Sequence, residues 1–375
     1  MGERRSAVVG DRAACAVLAA AWLLGGCDAS PALIGYAYGR VAPNVIDVAR
    51  DALAREPGRD IQIQIVEDPR QAGPARDVEF ATRLTTARGM AGVVGHQDSR
   101  GSLLAAPVYD EAHIPLLIPN ATSRRLRTVS PWVFMLVPDD SAEGAFIAGF
   151  AVDRLAARSV AVFYDNDEYG RGLREGVRAA LGARGLSLAG EAPIGAVCTP
   201  SPLGGDASIA LLVPRVRPPQ VLVIAGRTAD AACIARRVAA LAPGIQLIAA
   251  DGVEIDPGFI TTAGAGADSV YVVAFWHKDL PNPESLAFTS AFTRIVHRPP
   301  VASDALQFDA LMLLARAVRE GGGSPRAVRD YLMSLGTARP AYAGVTGPVS
   351  FASDRERPLY MLRLHGGDLR PVGGR

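Results

Sequence analysis

Lysine is almost missing from these 375 residues. Lys278 is the only one, so arginine carries nearly all the positive charge. Together with abundant alanine, this skew reads as a GC-rich coding bias and not as a binding surface. An excess of one charge sign is missing too: 39 basic residues face 38 acidic ones, for a formal net charge of +1. No global field therefore selects nucleic acid, an anionic membrane or an acidic substrate. No basic run interleaved with aromatics offers a nucleic-acid surface. The apolar run Ala13–Leu24 is shorter than the ~20 residues a spanning helix needs. Cofactor and catalytic signatures are absent as well. The first strand candidate ends Tyr38-Gly39-Arg40-Val41 without a G-x-G-x-x-G, and neither a P-loop nor a G-x-S-x-G elbow occurs. No Cys/His cluster has metal-ligand spacing. No nucleophile, base and oxyanion donor can be assembled. The expectation is a protein that is not an enzyme and needs no cofactor or metal.

What is present begins at the N-terminus. Arg4, Arg5 and Arg12 lead into the short apolar run, and Leu24-Gly25-Gly26-Cys27 closes it. The layout fits a secretory signal over residues 1–26. Its tail resembles a lipobox, where bacteria attach diacylglycerol to a cysteine thiol and cleave before it. That implies lipidation at Cys27 and a lipid-anchored chain on the periplasmic or extracellular face of the cytoplasmic membrane. The plainer reading is a secretory signal that happens to contain cysteine. Of the four cysteines, Cys15 would leave with the signal. Cys198 and Cys233 remain, in a compartment where a disulfide can persist; a bridge and two buried thiols both stay open.

A chain of 375 residues suggests about two domains. After Cys27 short apolar runs alternate with amphipathic stretches. Strand candidates include Ala32–Tyr38, Gly92–Gly95, Ile114–Ile118, Ser159–Tyr164, Gln220–Ala225, Ile245–Ala249 and Ser269–Ala274. Helix candidates include Asn44–Arg55, Ala75–Arg88, Ser141–Ala157, Gly170–Arg184 and Ala229–Leu241. This alternation predicts an α/β fold of doubly wound parallel sheets. Three helical stretches, Ser285–Val296, Ala302–Glu320 and Pro325–Leu335, then follow one another without strands. Ligands of such sheets bind beyond the carboxyl ends of the strands, so the loops after the strands are the places to look.

Read together, those loops resemble the type I periplasmic binding proteins, in their leucine/isoleucine/valine-binding branch. The resemblance is carried by Gly92-Val93-Val94-Gly95-His96-Gln97-Asp98-Ser99, by Ile114-Pro115-Leu116-Leu117-Ile118-Pro119-Asn120-Ala121-Thr122 and by Asp165-Asn166-Asp167-Glu168-Tyr169-Gly170. Ala250-Asp251-Gly252, Phe308-Asp309-Ala310 and Gly344–Phe351 add to it. It covers nearly the whole chain after Cys27. It implies two lobes joined by three crossings, near Pro138, Phe275 and Gly344, with a ligand held by hinge closure. The N-terminal lobe would take residues 32–138 plus 275–343, and the C-terminal lobe 139–274 plus 344–372.

The same resemblance implies an amino-acid site. Ser99 would meet the ligand carboxylate, Thr122 would donate to that carboxylate or accept from the ammonium, and Asn120 would lend mainly its backbone carbonyl. Asp251 would accept from the ammonium, and Tyr169 would supply an aromatic lip. Each has a plainer alternative: an N-cap for Ser99, a turn residue for Thr122 or Asp251, a helix-entry packing residue for Tyr169. Arg227 departs from the family pattern. It suits either a second ligand carboxylate or a surface pair with Asp230. His96 reads as structural. The implied function is an extracytoplasmic receptor of an ABC importer, with a branched-chain-type amino acid or related small carboxylate as ligand and permease subunits as partners. The alternative is a membrane-tethered sensor or activator with the same fold.

Overall fold

Several strand candidates are apolar at consecutive positions, and only a strand covered on both faces can bury such a run. A computed structural model describes residues 31–38, 44–56, 61–65, 74–198, 218–352 and 357–372. Cys27 and the signal-like segment before it lie outside the described residues. Every residue of Met90–Val94, Val221–Ala225 and Val270–Ala274 is buried.

The first lobe begins with β1 (Ala32–Tyr36), α1 (Asn44–Arg55), β2 (Ile61–Ile65), α2 (Pro74–Thr85), β3 (Met90–Val94), α3 (Ser99–Ala112), β4 (Leu116–Ile118) and β5 (Val133–Met135). Its strands are all parallel, in the order β2-β1-β3-β4-β5. The second lobe follows with α4 (Asp140–Gly149), β6 (Val160–Tyr164), α5 (Glu168–Gly182), β7 (Leu188–Pro193) and α6 (Gly195–Cys198). It continues with β8 (Val221–Ala225), α7 (Thr228–Leu241), β9 (Gln246–Ala249), α8 (Pro257–Ala263) and β10 (Val270–Ala274). Three helices come next: α9 (Pro283–Val296), α10 (Ala302–Gly321) and α11 (Pro325–Ser334). Then β11 (Tyr342–Gly344) and β12 (Gly347–Val349) form a hairpin, and β13 (Tyr360–His365) and β14 (Asp368–Pro371) end the described chain.

The helical block returns to the first lobe. Leu311, Leu314 and Val318 of α10 and Leu332 of α11 share one core with Ile34 and Val94. On the other face of that sheet, Phe80 and Leu84 of α2 join Val93, Leu116 and Tyr109. The second sheet runs β14-β13-β10-β9-β8-β6-β7. It is parallel except at one edge, where β13 lies antiparallel to β10 and β14 antiparallel to β13. Its two faces are covered by α7 with α8 and by α4 with α5.

Three expectations change. The third crossing does not fall near Gly344. Val349 is buried in the first-lobe core and Phe351 packs on it. Buried Asp309 of α10 accepts from the backbone N–H groups of Val345 and Thr346 at 2.7 and 2.8 Å and from the Thr346 hydroxyl at 2.6 Å. A buried carboxylate needs such donors, and they pin the hairpin to the first lobe. Residues 344–351 therefore stay there, and Tyr360–Arg363 pairs with β10 in the second sheet. Helix α8 was not expected, because seven residues are too few to display a helical period. Asp256 caps it by accepting from the Phe259 N–H at 2.6 Å. The Ser141–Ala157 helix keeps its α form only to Gly149 and then winds as a π turn to Arg154.

Two contacts set the geometry behind the site. Helices α4 and α5 meet glycine to glycine: a Cβ on Gly144 would stand 2.4 Å from the Gly176 carbonyl carbon. Only bare backbone allows that approach. Cys198, at the end of α6, forms a disulfide with Cys233 of α7, their Cα atoms 6.2 Å apart.

Candidate functional site

Strand order reverses between β1 and β3 in the first sheet and between β6 and β8 in the second. At such switch points adjacent loops part and leave a crevice. The crevices of the two lobes face one another. Ser99, Asn120, Thr122, Tyr169, Arg227 and Asp251 all line one cavity of about 520 Å³ between them. The sequence picture of five separate loops thus becomes one wall set.

On the first-lobe side, Ser99 follows β3. It is not the helix N-cap. That place belongs to Asp98, whose carboxylate accepts from the Gly101 N–H at 2.8 Å. Ser99 is the first helical residue, and its Oγ accepts from the Ser123 N–H at 3.2 Å. Its own proton remains to donate into the cavity. Thr122 follows β4. Its hydroxyl is buried and faces the Asp140 carboxyl, whose charged form it favours. Asn120 shares this loop, and its Oδ1 accepts from the Tyr38 hydroxyl at 3.5 Å. The Asn120 side chain is therefore engaged by a neighbour, and its part is not confined to the backbone. His96, just before this wall, is fully buried between Asp77 at 2.9 Å and the Tyr109 hydroxyl at 3.1 Å. It ties α2 to α3 and stays out of the cavity.

On the second-lobe side, Asp167 caps α5 and accepts from the Gly170 N–H at 2.8 Å. That cap turns Tyr169 inward. The Tyr169 hydroxyl donates to Asp251 at 2.7 Å and accepts from the Gly252 N–H at 3.0 Å. Position 252 must be glycine here, since a Cβ would lie 2.9 Å from the Tyr169 oxygen and 2.8 Å from the Gly226 carbonyl oxygen. Arg227 does not pair with Asp230. Its guanidinium lies 4.4 Å above the Tyr169 ring, 3.4 Å from Asp167 and 3.9 Å from Asp165. These two carboxylates sit on the preceding β6 loop, which the sheet order brings beside β8.

Behind Asp251 stand two acids that sequence reading missed. Glu143 of α4 is wholly buried, and its Oε1 accepts from the Asp251 N–H at 3.0 Å. Asp140 opens the same helix. Burial pushes the Asp140 carboxyl up to about 8 against the downward pull of the Thr122 hydroxyl, and the charges of Asp251, Asp139 and Glu168 add to the rise. Burial also drives Glu143 well above the carboxylate range. It raises Asp251 as well, but there the Tyr169 hydroxyl, Arg227 and the Gly252 N–H pull downward. Burial thus favours the neutral form at Glu143, while the hydrogen bonds and the arginine around Asp251 favour its charged form. The result is an acidic wall in the second lobe facing hydroxyls in the first. Glu143 had no local signal in the sequence, since it is one acid on a helix face. Tyr38 did have one: it closes the first strand candidate and lies just beyond β1, where the switch-point rule looks. Gln307 of α10, bonded to Tyr36, lines the cavity too and is visible only in three dimensions. Among the described residues no group of His, Cys, Asp and Glu has the geometry to hold a metal ion, and no helix is long and apolar enough to cross a membrane.

Comparison with known proteins agrees with this architecture. A leucine-binding protein from Thermotoga maritima superposes with a TM-score of 0.78 at 18% identity, over 91% of this chain and 98% of that one. The Leu/Ile/Val-binding protein homolog 1 of Brucella suis is 23% identical over 363 residues, 92% of this chain and 93% of that protein. An amino acid binding protein of Pseudomonas aeruginosa is 33% identical over 127 residues, which is only 33% of this chain and 34% of that relative's length. The profile of the periplasmic binding protein family matches residues 37–367, almost the whole span that builds the two lobes. The chain belongs to the periplasmic binding protein family.

Proposed function

We propose that this protein is an extracytoplasmic solute receptor that captures an α-amino acid with an uncharged side chain between its lobes. The observation that carries the reading is the pairing across one cavity of Asp251, held by Tyr169, with the hydroxyls of Ser99 and Thr122. An α-amino acid offers an ammonium and a carboxylate a fixed distance apart. The carboxylate suits hydroxyl donors at the start of α3, where the helix end adds partial positive charge. The ammonium suits the Asp251 carboxylate, which the Tyr169 hydroxyl orients. Arg227 argues for an uncharged side chain, because Asp165 and Asp167 already neutralise it and Tyr169 occupies its face. The names of the relatives, which include leucine-, isoleucine- and valine-binding proteins, point the same way. Delivery to an ABC permease and a lipid anchor at Cys27 complete the proposal.

Titration calorimetry of the purified protein against the standard amino acids tests it. A neutral amino acid is expected to bind, and Asp251→Asn is expected to cost about 2–5 kcal/mol of binding free energy, the range for removing one partner of a buried charge pair. Binding of no amino acid, or an Asp251→Asn protein with native affinity, would overturn the reading.

A further inference from the structure

Another cavity, of about 320 Å³, lies at the edge of the first sheet, where β5 is the last strand. It shares no lining residue with the cleft cavity. Its walls come from β5, from Val137 and Pro138 after it, from α11, and from the chain that follows β12. Phe134 and Phe351 give it apolar surface, their rings meeting edge to face with centroids 5.0 Å apart.

Three arginines, Arg127, Arg329 and Arg357, line this space, and among the described residues none that lines it is acidic. Neighbours hold two of the three in place. Arg127 Nε meets Asp139 at 2.6 Å. Arg329 donates through Nε to the Pro131 carbonyl at 3.1 Å, lies 5.2 Å over the Trp132 ring, and has Asp330 at 3.3 Å from Nη1. Arg357 differs. Its Nη1 reaches the Pro348 carbonyl at 3.4 Å, and its Nη2 is buried with no hydrogen-bond partner. A buried guanidinium nitrogen without an acceptor is costly. Burial draws this arginine down to about 10 against the charge of Asp309. The Asp309 oxygens are already taken by Val345 and Thr346. Asp309 therefore offers Arg357 charge at a distance and no hydrogen bond.

We propose that this cavity is a second ligand site, for a small organic carboxylate with an apolar body. The carboxylate meets the open edge of Arg357, and the body lies against Phe134 and Phe351. A guanidinium fork matches a planar carboxylate. The volume lies within the range of small-molecule sites, ~300–1,000 Å³. Inorganic phosphate fits less well, because it would shed hydration against apolar walls without regaining it. The site is separate from whatever the cleft binds.

The probe is hexanoate, followed by methyl NMR on the native protein. The methyl signals of Val133, Val137 and Met333 are expected to move saturably below ~10 mM, while those of Val45 and Val301, in the cleft, stay put. Hexanamide, the neutral analogue, is expected to bind about tenfold more weakly or worse, and phosphate more weakly than hexanoate. Arg357→Met, which keeps an apolar stem without the charge, is expected to weaken hexanoate by about tenfold or more. Arg357→Lys, which keeps the charge, is expected to fall between and serves if the methionine variant does not fold. The comparison of hexanoate, hexanamide and phosphate needs no variant. No saturable shift at these methyls, or shifts confined to the cleft, would overturn the site. Hexanamide binding as tightly as hexanoate, phosphate binding more tightly, or native affinity in a folded Arg357→Met protein would each overturn the assignment to a carboxylate on Arg357.

Discussion

Asp140→Asn should make the protein more stable, by an amount that grows with pH. The Asp140 carboxyl is 2% exposed and stands against the backbone of α5, where a Cβ on Gly172 would lie 2.2 Å from its oxygen. Burial lifts its pKa from 3.8 to about 8. The native state therefore holds this proton more tightly than the unfolded chain does. The contribution to stability is complete below pH 3.8 and is lost progressively as pH rises toward 8, levelling off above. Each unit is worth about 1.4 kcal/mol, so at pH 7 the loss reaches about 4 kcal/mol as an upper limit. Relaxation of the site lowers the realised figure to roughly half. The N-terminus of α4 favours a carboxylate, but by only about 0.3–1 kcal/mol, too little to reverse the sign. An amide of the same shape carries no proton to lose. Urea midpoints for both proteins at pH 5, 6, 7 and 8 give the difference curve, which cancels contributions from acids remote from Asp140 and leaves its own titration with its coupling to Glu143 and Asp251. The variant is expected to gain on the native protein by about 2 kcal/mol at pH 7, with a smaller gap at pH 5. A difference curve that is flat with pH, or an amide variant less stable at pH 8, would refute the burial argument.

Other outcomes follow from packing and pairing. Gly144→Ala drives a methyl into the backbone of Gly176 and should cost about 1–3 kcal/mol or more, read as a lower thermal midpoint; an unchanged midpoint would mean the helices part freely. Replacing Cys198 and Cys233 together by serine opens a loop of 35 residues and should cost about 3–4 kcal/mol, which reductant should mimic in the native protein. Arg227→Gln removes the cation over Tyr169, worth about 0.5–2 kcal/mol. It should weaken neutral amino acids modestly. It should also release Asp165, whose carboxyl sits at about 6 against the downward pull of Arg227, to titrate higher. A preference of the native protein for aspartate or glutamate, lost in Arg227→Gln, would contradict the pairing described.

Local chemistry made much of this protein legible from its residues. Consecutive apolar runs such as Val221–Ala225 can be buried only in a covered parallel strand. Alternation with amphipathic stretches then forces the doubly wound lobes. The switch-point rule pointed at the loops holding Ser99, Thr122, Tyr169 and Asp251, because a strand end fixes where a loop must start. Tertiary structure alone decided how those loops combine. Ser99 gave up the cap to Asp98, since only one side chain can reach the first free N–H groups of α3. Arg227 chose Asp165 and Asp167 over Asp230, because β8 lies beside β6 in the sheet. Glu143 reached Asp251 across 108 positions of sequence, and β13 came back antiparallel onto β10. Such contacts depend on which strands become neighbours, and a one-dimensional pattern carries burial and period but not adjacency.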